Sequence, residues 1–358
     1  MSATTVPSPM TSQCAHCGAP AYMKCSGCSS PLGEETVTIT YYCDKKCQSE
    51  HRGLHKSACK AHQTKKLLYR AGETLQEIFY RYREVMFDIR VVKIEDRNGT
   101  LYVDEDYPDA ASRLQILHEF PDSLVQNVGD KHALLARNAC SEAIIWMQEV
   151  TGYFLTGIAA NIKEAGVTPK NAKRKVKQLL DTGKYDNSES PHSCFKVDLE
   201  NGGGAYSLDL SSAQYGYYLP VTPWTQYFEN RVSKINSLEK FGNAKSRLTA
   251  IMNGPVNPLS QLGHMNHGCS DAMKSGTVKW ETETGMSISS FLKLPQEQFE
   301  QKQKDLCDFV ADGLRSYQKR TLEQAEEASK KPGGTPKTSF TPQGDLMDSL
   351  FELMKHAM

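Results

Sequence analysis

Cys14-Ala15-His16-Cys17, Cys25-Ser26-Gly27-Cys28, Cys43-Asp44-Lys45-Lys46-Cys47 and His55-Lys56-Ser57-Ala58-Cys59 decide how this chain begins. Seven of its 11 cysteines fall in this stretch, with one histidine completing the last pair. Thiolate and imidazole suit zinc, and a structural zinc takes four such ligands in a closed tetrahedron. Eight ligands therefore imply two ions. A C-x2-C pair sets two sulfurs on one tight turn, so one ion can take both. The C-x3-C and H-x3-C pairs have one-turn helical spacing, which brings each pair onto one face. A disulfide framework is the rival reading. Residues 1–13 lack a charged-then-apolar signal pattern, so a reducing compartment is expected, and disulfides have no use for the histidine.

The full run, Cys14-x2-Cys17-x7-Cys25-x2-Cys28-x14-Cys43-x3-Cys47-x7-His55-x3-Cys59, resembles a MYND-type zinc finger. Tyr42-Cys43, Cys47-Gln48 and His55-Lys56 match that family's flanks. The resemblance covers residues 14–59 and implies interleaved ligation. One ion would take Cys14, Cys17, Cys43 and Cys47, and the other Cys25, Cys28, His55 and Cys59. His51 has the wrong spacing and reads as a solvated helix residue. The family also implies a groove for proline-containing peptides, built on a Gln and a Trp. Gln48 is present, but Arg52 stands at the Trp position and offers less apolar area.

Composition narrows the remainder. The 358 residues carry 42 basic and 42 acidic side chains, so no general electrostatic hold on nucleic acid is indicated. No apolar run approaches the ~20 residues of a membrane-spanning helix, so no membrane partner is expected. The protein is expected to be intracellular, in cytoplasm or nucleus, with Cys140, Cys194, Cys269 and Cys307 as free thiols. Asn98-Gly99-Thr100 then matters only for its turn chemistry.

Organisation follows from periodicity. Residues 1–13 read as a disordered lead, 14–59 as the finger, 60–330 as an α+β body, 331–343 as a flexible linker and 344–358 as a helical tail. Helices are expected over 60–88, 131–150, 156–182, 223–252 and 295–330. Asn98-Gly99 between Ile89–Ile94 and Leu101–Val103 predicts a hairpin, and Asn201–Gly204 between two alternating runs predicts another. The stretch 253–292 lacks period and reads as loop. The fold class is α+β: a two-zinc MYND-type finger before a mainly helical domain with a few β-hairpins.

Three further constellations bear on chemistry. Cys140, His192 and Asp209 follow the order of papain-like and transglutaminase-like enzymes: cysteine on a helix, histidine on one strand, acid on the next. Asn138 is the expected cap of the Cys140 helix. Asn266-His267-Gly268-Cys269 resembles a cofactor-site run of SET methyltransferases, but the expected flanks are missing. His264, His267 and Cys269 alternatively suggest a metal site. In the tail, Leu346, Met347, Leu350, Phe351 and Met354 share one helical stripe suited to a partner groove.

These residues rank three functions. A zinc-stabilised adaptor comes first, a non-enzymatic reading in which the body has no chemistry of its own and protein or peptide partners are met through the finger, with the C-terminal helix as a second candidate surface. A cysteine-dependent acyl-transfer enzyme using Cys140, His192 and Asp209 comes second. A SET-type lysine methyltransferase comes last.

Overall fold

A computed structural model describes residues 12–28, 39–106, 117–179, 183–186, 191–252 and 258–329. The expected linker and amphipathic tail lie outside the described residues, as does the lead up to residue 11. The lead's last two residues, Ser12–Gln13, form a short strand paired with Pro20–Ala21.

The finger is two small ribbons and a helix. Met23–Lys24 pairs with Tyr41–Tyr42, and helix α1 follows at Lys45–Glu50. Asp44 caps α1 by accepting from Cys47 N–H at 2.7 Å. Helix α2 then begins at once and runs without interruption over Arg52–Val85. It carries His55 and Cys59 at its start and buries Leu68, Leu75, Ile78, Phe79 and Tyr82 further along. One helix is thus both the last piece of the finger and the first piece of the body core.

Arg70 ties α2 to the far end of the chain. Its guanidinium donates to Leu292 O at 2.9 Å, to Leu294 O and to Gln296 Oε1 at 2.9 Å, and lies over the Phe299 ring. A buried cation needs this many partners to offset its desolvation.

The Asn98-Gly99 hairpin forms as expected, with β1 at Val91–Arg97, β2 at Thr100–Glu105 and positive φ at both turn residues. The segment 131–150 is not one helix. It breaks into α3 at Val128–Ala136, α4 at Cys140–Ile145 and α5 at Gln148–Phe154. Asn138, at φ +51°, turns the chain between the first two.

The helix expected over 156–182 is a correction. Ala159–Pro169 is strand β3 and Lys175–Gln178 is strand β4. Its Ala and Lys content suits a helix, but β3 is paired on both sides and buries Ala165 and Val167. The second predicted hairpin is present as β5, His192–Leu199, and β6, Ala205–Leu208. Next come β7 at Val221–Pro223, helix α6 at Trp224–Arg231 and β8 at Val232–Lys240, then helix α7 at Asn243–Met252. The expected helix over 223–252 therefore encloses a strand. The sheet order is β7-β6-β5-β3-β8, antiparallel throughout, while β1, β2 and β4 form a smaller sheet in which β2 and β4 run parallel.

A second correction concerns 253–292. Most of it is helix α8, Pro258–Thr284, followed by α9 at Ile288–Phe291 and α10 at Gln296–Ser329. The glycines that hide the helical period have a packing role. A Cβ at Gly268 would overlap the Tyr317 ring of α10. The body is therefore a five-stranded antiparallel sheet, with α2, α8 and α10 packing together beside it.

Gly72 marks where α2 crosses the sheet edge, because a Cβ there would overlap Val221 Cγ2 and press Leu208 Cδ1 at 3.2 Å. Ala is the better helix former by ~1 kcal/mol, but overpacking a closed contact costs about 1–3 kcal/mol. Gly72→Ala is therefore expected to lower stability by up to about 2 kcal/mol, read as a lower urea midpoint at unchanged slope. A higher midpoint would show that the contact is slack.

Candidate functional site

The finger's eight donors gather into two groups. Cys14, Cys17, Cys43 and Cys47 form one; Cys25, Cys28, His55 and Cys59 form the other, with the ligand atoms of each group within 4.8 Å of one another. This is the interleaved pairing that the family resemblance implies. Individual separations are 3.6 Å for Cys17–Cys43, 3.4 Å for Cys43–Cys47, 3.8 Å for Cys25–Cys59 and 3.4 Å for Cys28 Sγ to His55 Nε2. A tetrahedron with Zn–S near 2.3 Å has edges of about 3.8 Å, so the donor sets fit zinc. Burial and the neighbouring Cys59 push the Cys28 thiol well up, and hydrogen bonding to Cys43 does the same to Cys47. A divalent ion reverses this and holds both as thiolates. His51 lies outside both groups and bonds the Tyr42 hydroxyl at 3.1 Å. All four positions of each site are filled by protein, so these zincs are structural.

The body assembles a second constellation. Cys140 is the first residue of α4, His192 the first residue of β5, and Asp209 follows β6 directly. They are 9%, 1% and 2% exposed. His192 Nε2 and Asp209 Oδ2 are 2.8 Å apart. Cys140 Sγ lies 4.0 Å from the carbonyl oxygen of Pro191, next to His192 in the chain. The cap of α4 is Ala139, not Asn138 as expected, and it makes no side-chain cap bond. Asn138 instead supplies the left-handed turn that ends α3 and lets a new helix start at Cys140.

The electrostatics favour a charged imidazole. Burial alone would lower the basicity of His192. The Asp209 carboxylate outweighs it, Cys140 adds to the rise, and the imidazole is held up at about 10. Asp209 is held low in turn, since His192 and Tyr227 more than offset its burial. Cys194, two residues along β5, is pushed far above the usual thiol range by burial and then by Asp209.

Two contributors to this cluster were not singled out in the sequence. The Tyr227 hydroxyl of α6 donates to Asp209 Oδ2 at 2.9 Å. Gln214 sits in the turn after Asp209, with its Nε2 3.4 Å from His192 Nδ1. The polar and aromatic run Asp209–Gly216 is the local signal that could have found the second, and nothing local points to the first. The Tyr215 ring stands edge-on to the imidazole at 5.0 Å.

The remaining candidates do not converge. Asn266, His267 and Cys269 lie within α8. Asn266 accepts from the Tyr82 hydroxyl at 2.5 Å, His267 pairs with Asp271 at 3.4 Å, and burial pushes the Cys269 thiol up to about 12. Among the described residues, His264, His267 and Cys269 do not form a metal-ligand group.

Comparison with known protein families matches residues 14–59 to the MYND finger. No curated protein matches the chain. No solved structure matches it. Among the described residues, no helix is long and apolar enough to cross a membrane.

Metal analysis of the purified protein is expected to find about two zinc equivalents, as two closed four-ligand sites require. Cys43→Ser should lose the ion of the first site and melt the finger, while circular dichroism keeps the body's helical signal. One equivalent in the wild type would overturn the ligand assignment.

Proposed function

We propose that this chain is a zinc-finger adaptor whose body carries a cysteine-dependent acyl-transfer site. The enzymatic half rests on one observation above the others, the fully buried His192–Asp209 pair at 2.8 Å beside a cysteine that opens a helix. A buried ion pair is weak support for stability, because the desolvation cost is comparable with the attraction. A carboxylate that orients an imidazole beside a thiol has a chemical use instead.

The roles follow from the atoms. Asp209 holds His192 through Nε2, which leaves Nδ1 to face other groups. Nδ1 takes the Cys140 proton, and the thiolate attacks the carbonyl carbon of an amide or ester. The imidazolium returns that proton to the leaving amine or alcohol, giving a thioester on Cys140. Water or a second amine then attacks the thioester, with His192 as base, and the thiol is restored. Water gives a hydrolase and an amine gives a transglutaminase-like transferase.

The adaptor half belongs to the finger. MYND fingers are generally protein-interaction modules, and here Arg52 and Leu54 are exposed while Gln48 is half-buried. A finger that binds a protein partner would bring acyl substrates to the body by raising their effective concentration.

Alkylation tests the enzymatic half. Cys140 is expected to react with iodoacetamide faster than Cys194, Cys269 or Cys307, and His192→Ala should slow it roughly tenfold or more. Equal rates at Cys140 and Cys194 would sink the acyl-transfer reading. For the finger, a proline-containing peptide should bind the wild type and be lost in Gln48→Ala. Tight, steeply salt-dependent binding to duplex DNA would instead point to a nucleic-acid partner.

A further inference from the structure

We propose that Gln214 is a positioning residue that shares His192 Nδ1 with Cys140 and so sets the pH at which Cys140 becomes a thiolate. This rests on the acyl-transfer reading and deepens it.

Gln214 is buried in the turn Ser212–Tyr215, and both ends of its amide are engaged. Its Oε1 accepts from the Asn138 N–H at 3.2 Å. Its Nε2 donates to Ser211 O at 3.2 Å and stands 3.4 Å from His192 Nδ1. One side chain therefore links three things: the left-handed turn that delivers Cys140, the turn that follows Asp209, and the working nitrogen of the imidazole. Asn138 needs such a hold, because a non-glycine residue at positive φ persists only when its surroundings enforce it.

The chemistry is asymmetric. An amide N–H directed at Nδ1 favours the imidazole in which Nδ1 has no proton. The thiolate–imidazolium pair requires a proton on Nδ1. Gln214 therefore opposes the ion pair, while Asp209 on the opposite nitrogen favours it. The other groups around the His192–Asp209 pair are Cys140 from α4 and Tyr215 from the turn beside the imidazole, and Cys194 from β5 with Tyr227 and Arg231 from α6 beside the carboxylate. Burial, then Glu77 and Asp209, push the hydroxyl of Tyr80 on α2 well up. Asp209 takes Nε2 and Gln214 stands at Nδ1, the nitrogen left for the neighbouring Cys140.

The test is the pH profile of Cys140 alkylation in the full-length, zinc-loaded protein, read by mass spectrometry over about pH 4 to 10. Gln214→Met removes the N–H and should move the midpoint down by about one unit, which is roughly a tenfold faster rate on the rising limb. Gln214→Glu keeps an oxygen for the Asn138 N–H and sets a carboxylate oxygen against Nδ1, where it accepts the imidazolium proton as Asp209 does on the other nitrogen, and should also move the midpoint down. A residue that merely packs would change the rate equally at every pH, so that result, or an unmoved midpoint in Gln214→Met, overturns the proposal. If Gln214→Met is insoluble, Gln214→Glu decides: a downward midpoint supports the proposal and an unchanged or upward one overturns it. A wild-type Cys140 no faster than Cys194 removes the acyl-transfer reading, and this one with it. A fast wild-type Cys140 with an unmoved variant midpoint overturns this inference alone.

Discussion

An aspartate carboxylate at 2% exposure is the constraint around which the body is arranged. Removing such a charge from water costs several kcal/mol even after relaxation, and Asp209 is compensated from different elements. His192 reaches it from the start of β5, Tyr227 reaches the same oxygen from α6, and its own N–H is taken by Pro220 O at 2.8 Å. The β5–β6 register, with Phe195 opposite Leu208, sets how far His192 lies from the end of β6. A one-residue slip would turn every side chain of β6 to the other face. Asp209 Oδ1, Ser211 Oγ and Tyr80 Oη are buried with no hydrogen-bond partner among the described residues, and polar atoms in that position are the usual lodging of internal water.

Local chemistry explains which parts of this were legible in the sequence. The zinc ligands announce themselves because metal spacing is a short-range property, set within one turn or one helical step. The Asn98-Gly99 hairpin was readable for the same reason. So was the order of Cys140, His192 and Asp209, because a hairpin brings two of them near each other whatever lies around it. The strand Ala159–Pro169 was not readable, since its extended form depends on β5 and β8, far along the chain. Glu164 in its middle accepts the N–H groups of Gly242 at 2.7 Å and Ala244 at 2.9 Å, so this strand also caps α7. A carboxylate on a strand that caps a helix nearly 80 residues later leaves no trace in local periodicity.

Helix α8 failed as a prediction for the opposite reason. Its glycines look like breakers in isolation, and tertiary contact gives them their role. Tyr227 belongs with it: a tyrosine in an amphipathic helix is ordinary until the sheet below turns out to end in a buried acid. Residues that act through short sequence separations can be read from the chain. Those that act across the sheet need the sheet.

The uninterrupted course of α2 has a geometrical consequence. Its 34 residues span about 51 Å, with zinc ligands on the first two turns and core side chains on the later ones. The finger and the body are therefore in helical phase. Each residue along α2 turns the finger by about 100° and advances it about 1.5 Å relative to the sheet. Chain length between Cys59 and Leu68 is consequently a quantised variable: a change of one or two residues would swing the finger's exposed face to a different side of the body, and a change of seven would nearly restore it. Where a flexible tether would tolerate any spacing, this protein measures it.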